Sequence, residues 1–125
     1  MSCSAATISV LVVEDEAIIS SMVADALSEY GFAVHEAATG SEALRYLDSG
    51  IEVDVLFTDI NLPGGIDGTE LACLVRAMRP ELPVIYTSGR YQPSGPDRMV
   101  PRSTFVPKPY NPDQICRLLD RMTNA

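Results

Sequence analysis

Four apolar runs in this sequence end on residues able to do chemistry. ISVLVV leads into Glu14-Asp15-Glu16, VDVLFT into Asp59, PVIYT into Ser88, and TFVP into Lys108, the only lysine in the chain. Brought together, the three acids Glu14, Asp15 and Asp59, the Ser88 hydroxyl and the Lys108 ammonium form a set that holds a divalent cation and moves a phosphoryl group. Carboxylates and carbonyls are the hard oxygen ligands that Mg²⁺ takes, using one or two carboxylates, several waters and a phosphate oxygen. Three carboxylates within ~5 Å of each other repel by roughly 3 kcal/mol per pair at an effective dielectric near 20, and a bound divalent cation offsets this. A carboxylate beside such a cation, a hydroxyl and an ammonium is equipped to attack phosphorus and form an acyl phosphate. Asp59 is the residue on which this chemistry turns.

What must position these groups is a parallel sheet. Residues 53–57 are mostly apolar and β-branched, the composition of a strand buried on both faces. A carboxylate just past such a strand lies at the carboxyl edge, where open α/β sheets bind ligands. Runs 8–13, 32–37, 83–87 and 104–107 read as four further strands, with 32–37 the less apolar and so an edge. Helical spacing fills the intervals. It joins Ile19, Met22, Val23, Ala26, Leu27 and Tyr30 before a stop at Gly31, and Ala43, Leu44 and Leu47 after a Thr39–Glu42 capping box. It recurs at Leu71, Leu74, Val75 and Met78 from Asp67 or Gly68 to Pro80, and at Ile115, Leu118, Leu119 and Met122 after Asn111 as N-cap and Pro112. Each stripe is expected to be core.

Strands alternating with helices predict an α/β fold, a flavodoxin-like doubly wound sheet of five parallel strands in the order 2-1-3-4-5. All strand carboxyl ends then share one edge. Glu14, Asp15, Asp59, Ser88 and Lys108 converge there whatever their separation in sequence. Segment 90–103 carries Pro93, Gly95, Pro96 and Pro101, so irregular chain or one short turn at 97–100 is expected, a degenerate fourth helix.

With 125 residues and 46% hydrophobic content, the chain fits one domain (1–125) with its core in 8–123. No apolar run approaches the roughly 20 residues that span a bilayer, and the start MSCSAAT lacks a secretory pattern, so a cytoplasmic location is expected. Cys3, Cys73 and Cys116 have no metal-type spacing and read as free thiols. A net charge of -8 argues against nucleic acid or an anionic membrane as direct partner.

The pieces VVEDE, DINLP, TSG and FVPKPY, in this order and at strand ends, resemble the receiver domain of bacterial response regulators over essentially residues 8–123. The resemblance implies Asp59 as phosphoacceptor, supplied by a histidine kinase or a histidine phosphotransfer protein. It implies Glu14 and Asp15 as the acidic pair around Mg²⁺, Asp15 being the direct ligand, with Asp59 and the Asn61 backbone carbonyl. Lys108 would contact the phosphoryl oxygens, and the Lys108-Pro109 bond would be cis. Ser88, five residues after Pro83, matches the switch hydroxyl, with Thr87 as the other register. Phe105, three before the lysine, matches the switch aromatic. The chain would catalyse only its own phosphorylation and dephosphorylation. With no DNA-binding domain after Ala125, output would go through contact with a downstream protein, and a second copy of the chain stays open as a partner. Two departures stand out: PGGID carries one residue more than the usual pattern between Pro63 and Asp67, which is expected to reshape that loop, and the Pro- and Gly-rich segment follows Ser88.

Taken singly, these residues have plainer readings. An acidic triplet after a strand is ordinarily a solvated loop, and Glu16 reads as a first-turn helix acid favoured by the dipole. His35 reads as a surface residue, while Tyr91 and Tyr110 are candidate interface aromatics that nothing in the sequence decides. Two rival functions are an aspartate-dependent phosphatase of the haloacid dehalogenase type, which wants a second acid at Asn61 and a cap domain, and a pseudo-receiver that only binds partners. The latter is disfavoured because every catalytic position is filled.

Overall fold

The computed structural model describes residues 7–89 and 99–123. Among them, strands and helices alternate as β1 (Ser9–Val13), α1 (Ala17–Tyr30), β2 (Ala33–Ala37), α2 (Gly40–Asp48), β3 (Val55–Asp59), α3 (Gly68–Met78), β4 (Val84–Ser88), β5 (Ser103–Pro107) and α4 (Pro112–Thr123). All pairings are parallel and the order is β2-β1-β3-β4-β5, as the alternation predicted. The less apolar β2 is an edge. No described helix is long and apolar enough to cross a membrane.

Side-chain alternation along the strands builds two cores. On one face Leu11, Val13, Leu56, Val84 and Tyr86 meet Ala43 and Leu47 of α2 and Leu71, Ala72 and Val75 of α3. On the other, Val10, Val12, Val55, Phe57, Ile85 and Val106 meet Val23 and Leu27 of α1 and Ile115, Cys116 and Leu119 of α4. β1, β3 and β4 are covered on both sides, which explains their near-continuous apolar runs.

The helix stripes are narrower than their apolar spacing suggests. Met22 and Tyr30 of α1 and Leu74 and Met78 of α3 are exposed at 55%, 47%, 44% and 48%. The contact line of α1 is Ser20, Val23, Ala24 and Leu27, and that of α3 is Gly68, Leu71, Ala72 and Val75. Both follow the i, i+3, i+4, i+7 rule, but with small residues nearest the sheet, so the large flanking ones are left outside.

Helix starts fix the loops around the carboxyl edge. Thr39 caps α2 by accepting from the Glu42 amide at 3.1 Å, but Glu42 reaches back to the Ala38 N–H at 2.8 Å, one residue further than a reciprocal box. The full box is at α3, where Asp67 accepts from the Glu70 amide at 2.9 Å and Glu70 from the Asp67 amide at 3.1 Å. The loop before it turns at Gly64, φ 89°, and closes with the Gly68 N–H donating to the Ile60 carbonyl at 2.8 Å. The extra residue in PGGID is thus absorbed beyond Asn61.

Expectations for segment 90–98, including Tyr91 and the degenerate helix, and for Cys3 lie outside the described residues. Residues 99–102 form no helix, and the Val100 N–H donates to the Tyr86 hydroxyl at 3.1 Å. Cys73 is an exposed free thiol and Cys116 a buried one.

Candidate functional site

Strand register aligns the polar residues at the sheet edge. Val13 lies opposite Thr58, Asp59 opposite Thr87, and Ser88 opposite Pro107. Backbone bonds extend this order past the strands: the Glu14 N–H donates to Ala37 at 3.0 Å, Ile60 to Thr87 at 2.9 Å and Lys108 to Ser88 at 2.9 Å. Glu14, Asp59, Ser88 and Lys108 therefore emerge side by side.

Lys108 Nζ lies 2.8 Å from Asp59 Oδ2 and 2.8 Å from Glu14 Oε1. Asp59 Oδ1 accepts from the Asn61 N–H at 3.0 Å, and Glu14 Oε2 from the Glu16 N–H at 3.0 Å. The Lys108, Asp59 and Glu14 side chains are only 13%, 6% and 3% exposed, so their charges are poorly screened. Burial holds the Glu14 carboxyl above its usual range, against the lowering effect of Lys108. For Lys108 burial acts downward, but its hydrogen bonds to Asp59 and Glu14 reverse this and hold the ammonium above the usual lysine value.

Oxygens of Glu14, Asp15 and Asp59 come within 4.8 Å of one another, two from buried residues and one from a residue open to solvent. One ammonium does not neutralise three carboxylates. An all-oxygen donor set with one ligand facing water suits a small hard divalent cation that keeps part of its hydration shell.

A family profile described as the response regulator receiver domain matches residues 10–120. The chain is a receiver domain of the two-component response regulator family. Its sequence is 35% identical to the sensor kinase CckA of Brucella abortus (strain 2308) over 117 residues, which is 90% of this receiver but 12% of that protein. It is 34% identical over 110 residues to the transcriptional regulatory protein TcrA of Mycobacterium tuberculosis (strain H37Rv), covering 85% of the receiver and 42% of TcrA. The receiver thus spans less than half of either relative. Among solved structures, a response regulator receiver protein from Sinorhizobium medicae WSM419 superposes with a TM-score of 0.88 at 29% identity, over 95% of this chain and 96% of that one. Chemotaxis protein CheY4 of Vibrio cholerae gives 0.83 at 29% identity, over 93% and 98%.

Most of the residues that the sequence singled out do meet in this receiver. The Lys108-Pro109 bond is cis. The two candidate hydroxyls separate cleanly: Ser88 Oγ accepts from the Asn61 side-chain amide at 2.8 Å, whereas Thr87 Oγ1 is buried with no hydrogen-bond partner among the described residues. Ser88 is the one facing the site. Asn61 has a side-chain role that sequence reasoning missed, since only its backbone carbonyl was expected to matter. Phe105 is half-buried against the α2 and α3 face, opposite Tyr86 in register. Tyr110 is half-buried: it packs edge-on against Phe57 at 5.7 Å, and burial, with the charge of Glu14, pushes its hydroxyl up to about 12. His35 lies on the edge strand against the Tyr46 ring at 5.6 Å.

Glu16 corrects the reading of it as a mere first-turn acid. It is the N-cap residue of α1, its side chain makes no cap bond, and its carboxylate stands 3.8 Å from Lys108 Nζ. Nothing in the spacing EDE says which of the three acids turns inward. The local turn decides it.

Proposed function

We propose that this receiver accepts a phosphoryl group on Asp59 from a phosphohistidine donor and thereby changes a protein-binding surface. The supporting observation is the setting of the Asp59 carboxylate: buried, held on one oxygen by the Asn61 N–H and on the other by the only lysine of the chain. An Asp59 oxygen forms the bond to phosphorus as the donor's P–N bond breaks, its electron pair leaving with the imidazole nitrogen. Lys108, already on Oδ2, turns its charge to the incoming phosphoryl oxygens. Glu14, Asp15, Asp59 and the Asn61 carbonyl would hold Mg²⁺, which when bound supplies positive charge to those oxygens. The chain acts on no separate substrate.

The same step sets the switch. New acceptor oxygens draw the Ser88 hydroxyl away from the Asn61 amide, freeing room on that face for the Phe105 ring to turn and remodel the surface at β5. Moving a two-state surface from mostly off to mostly on takes about 5.5 kcal/mol of differential stabilisation. Charge-assisted hydrogen bonds from Ser88 and Lys108 are of the right strength. Asn61 is an amide where the phosphatase alternative wants an acid, and that alternative is not favoured.

The test is an NMR titration with Mg²⁺ and beryllofluoride. Peaks from residues 59–61, 88 and 105–108 are expected to move in the wild type and stay put in Asp59→Asn. A wild-type spectrum indifferent to both additions would leave only the partner-binding reading.

Beside Lys108, an apolar groove of about 210 Å³ is lined by Ile19, Met22, Val23, Pro109, Tyr110 and Pro112. Met22 in its lining is 55% exposed, and Ile18, one turn earlier on α1, is 78% exposed. A patch this close to the acceptor suits the protein carrying the phosphohistidine. Met22→Ala is expected to slow transfer from a phosphorylated histidine phosphotransfer protein by about tenfold, the scale of one buried anchor, without adding a charge near Lys108. Phosphorylation by a small-molecule donor should be unchanged, and equal slowing of both would place the donor elsewhere.

A further inference from the structure

The N-cap of a helix ordinarily carries a side chain that accepts from the first amides. At α1 the residue is Glu16, and its carboxylate does not cap. It stands 3.8 Å from Lys108 Nζ, while its own N–H is spent on Glu14 Oε2 at 3.0 Å. Glu14 and Asp59 hold the ammonium at 2.8 Å from the buried side, at 3% and 6% exposure, and Glu16 meets it from the solvent side at 64%. Lys108 therefore does not need Glu16 to be held. What Glu16 adds is a negative charge at the mouth, in the path of whatever arrives from solution.

Among the described residues, Glu14, Asp15, Glu16 and Asp59 set four carboxylates against one ammonium, and a divalent cation still leaves that set negative. A small phosphoryl donor approaches by diffusion with nothing but the local field to guide it, so a like charge lowers its rate of productive encounter.

We infer that Glu16 is a specificity-determining residue for the phosphoryl donor, disfavouring free dianionic acyl phosphates relative to donors of lower charge. This rests on the reading of Asp59 as acceptor. With acetyl phosphate the Asp59 O–P bond forms as the acyl O–P bond breaks and acetate leaves. With phosphoramidate the P–N bond breaks and ammonia leaves, that nitrogen already carrying the proton.

The experiment measures the second-order rate constant for phosphorylation of the full chain with saturating Mg²⁺, by intact mass. Acetyl phosphate, a dianion at neutral pH, is compared with phosphoramidate, which carries one fewer net negative charge. Glu16→Gln is expected to raise the acetyl phosphate rate about threefold and Glu16→Lys about tenfold at low salt, with a clearly smaller gain for phosphoramidate. The advantage should shrink in molar salt, where the Debye length falls to about 3 Å. Glu29→Gln, at the far end of α1, makes the same change in net charge and should leave both rates alone. Equal gains with both donors, no gain, or the same gain from Glu29→Gln would overturn the role of Glu16 while leaving Asp59 as acceptor. If the wild type takes a phosphoryl group from neither donor, both readings fall together.

Discussion

Replacing Lys108 with alanine is expected to cost the fold about 3 kcal/mol in metal-free buffer at neutral pH, and to slow phosphoryl acceptance at Asp59 by at least about 100-fold. The stability loss follows from what stays behind. Glu14 and Asp59 are almost fully buried, each 2.8 Å from the ammonium, and their oxygens lie within 4.8 Å of one another. Removing the cation leaves two like charges without water to screen them, a repulsion of roughly 3 kcal/mol at an effective dielectric near 20. Lost contacts of the lysine stem are a smaller effect, because Glu14→Gln on top of Lys108→Ala should recover most of the loss. Millimolar Mg²⁺ should recover much of it too. Lys108→Arg restores the charge but sets a broad planar fork in a slot shaped for a point charge, and should regain stability better than rate. Urea unfolding with chelator and with Mg²⁺ reads the first claim, and a variant as stable as the wild type in chelator would sink it.

The same pair fixes the sign of a pH effect in chelator. The folded-state value of Lys108 lies above its unfolded value of 10.5, so its stabilisation is complete below that value and disappears only as the pH rises through the folded one. Glu14 is also raised, from 4.5, but for a carboxyl this means that the folded state resists the charged form. Its contribution is present below 4.5 and declines as the pH rises through its folded value. Wild-type stability should therefore fall in strong alkali through Lys108, while Lys108→Ala should lose that alkaline limb and gain stability as the pH is lowered from 7 toward 5.

Why so much of this site could be read from sequence is a matter of topology. In a parallel sheet the residue after each strand is placed by the strand itself, so Glu14, Asp59, Ser88 and Lys108 needed no knowledge of loops. The apolar runs marked where β1, β3 and β4 end to within a residue or two. What the sequence did not disclose depends on turns and on packing depth. Glu14 and Glu16 are chemically the same, yet one is buried on Lys108 and the other sits at the rim, because the chain turns between them and lends the Glu16 N–H to Glu14. The Asn61 side chain reaches Ser88 from a loop that turns at Gly64 and closes on Ile60 through the Gly68 N–H, which the spacing does not show. Met22, Tyr30, Leu74 and Met78 were expected in the core because apolar spacing gives the direction of a stripe but not its width, and Ala24 and Ala72 take the contact line.

Gly68→Ala is expected to destabilise the receiver by about 3 kcal/mol and to slow phosphorylation of Asp59 by about tenfold or more, though Gly68 touches neither phosphorus nor metal. The residue opens α3, and its N–H donates to the Ile60 carbonyl at 2.8 Å. A Cβ there would collide with the Asp59 carbonyl oxygen and stand 2.7 Å from Ile60 Cα. Both are backbone atoms at the end of a central strand, so no side chain can swing aside to make room. Alanine ordinarily gains up to about 1 kcal/mol over glycine in a helix, and less in the first turn, so the clash outweighs it. Relief has to come from moving the start of α3 or the end of β3, and the second moves the Asp59 carboxylate off the Asn61 N–H and Lys108. A shift of about 1 Å at a reacting group is enough to cost tens of fold in rate. Gly65→Ala supplies the contrast: a Cβ at that position meets nothing within 4 Å and the backbone is not left-handed, so stability should stay within about 0.5 kcal/mol of wild type. Melting curves and acetyl phosphate rates for the two variants decide it. If Gly68→Ala melts and reacts like Gly65→Ala, the close approach of α3 to β3 is not what holds Asp59 in place.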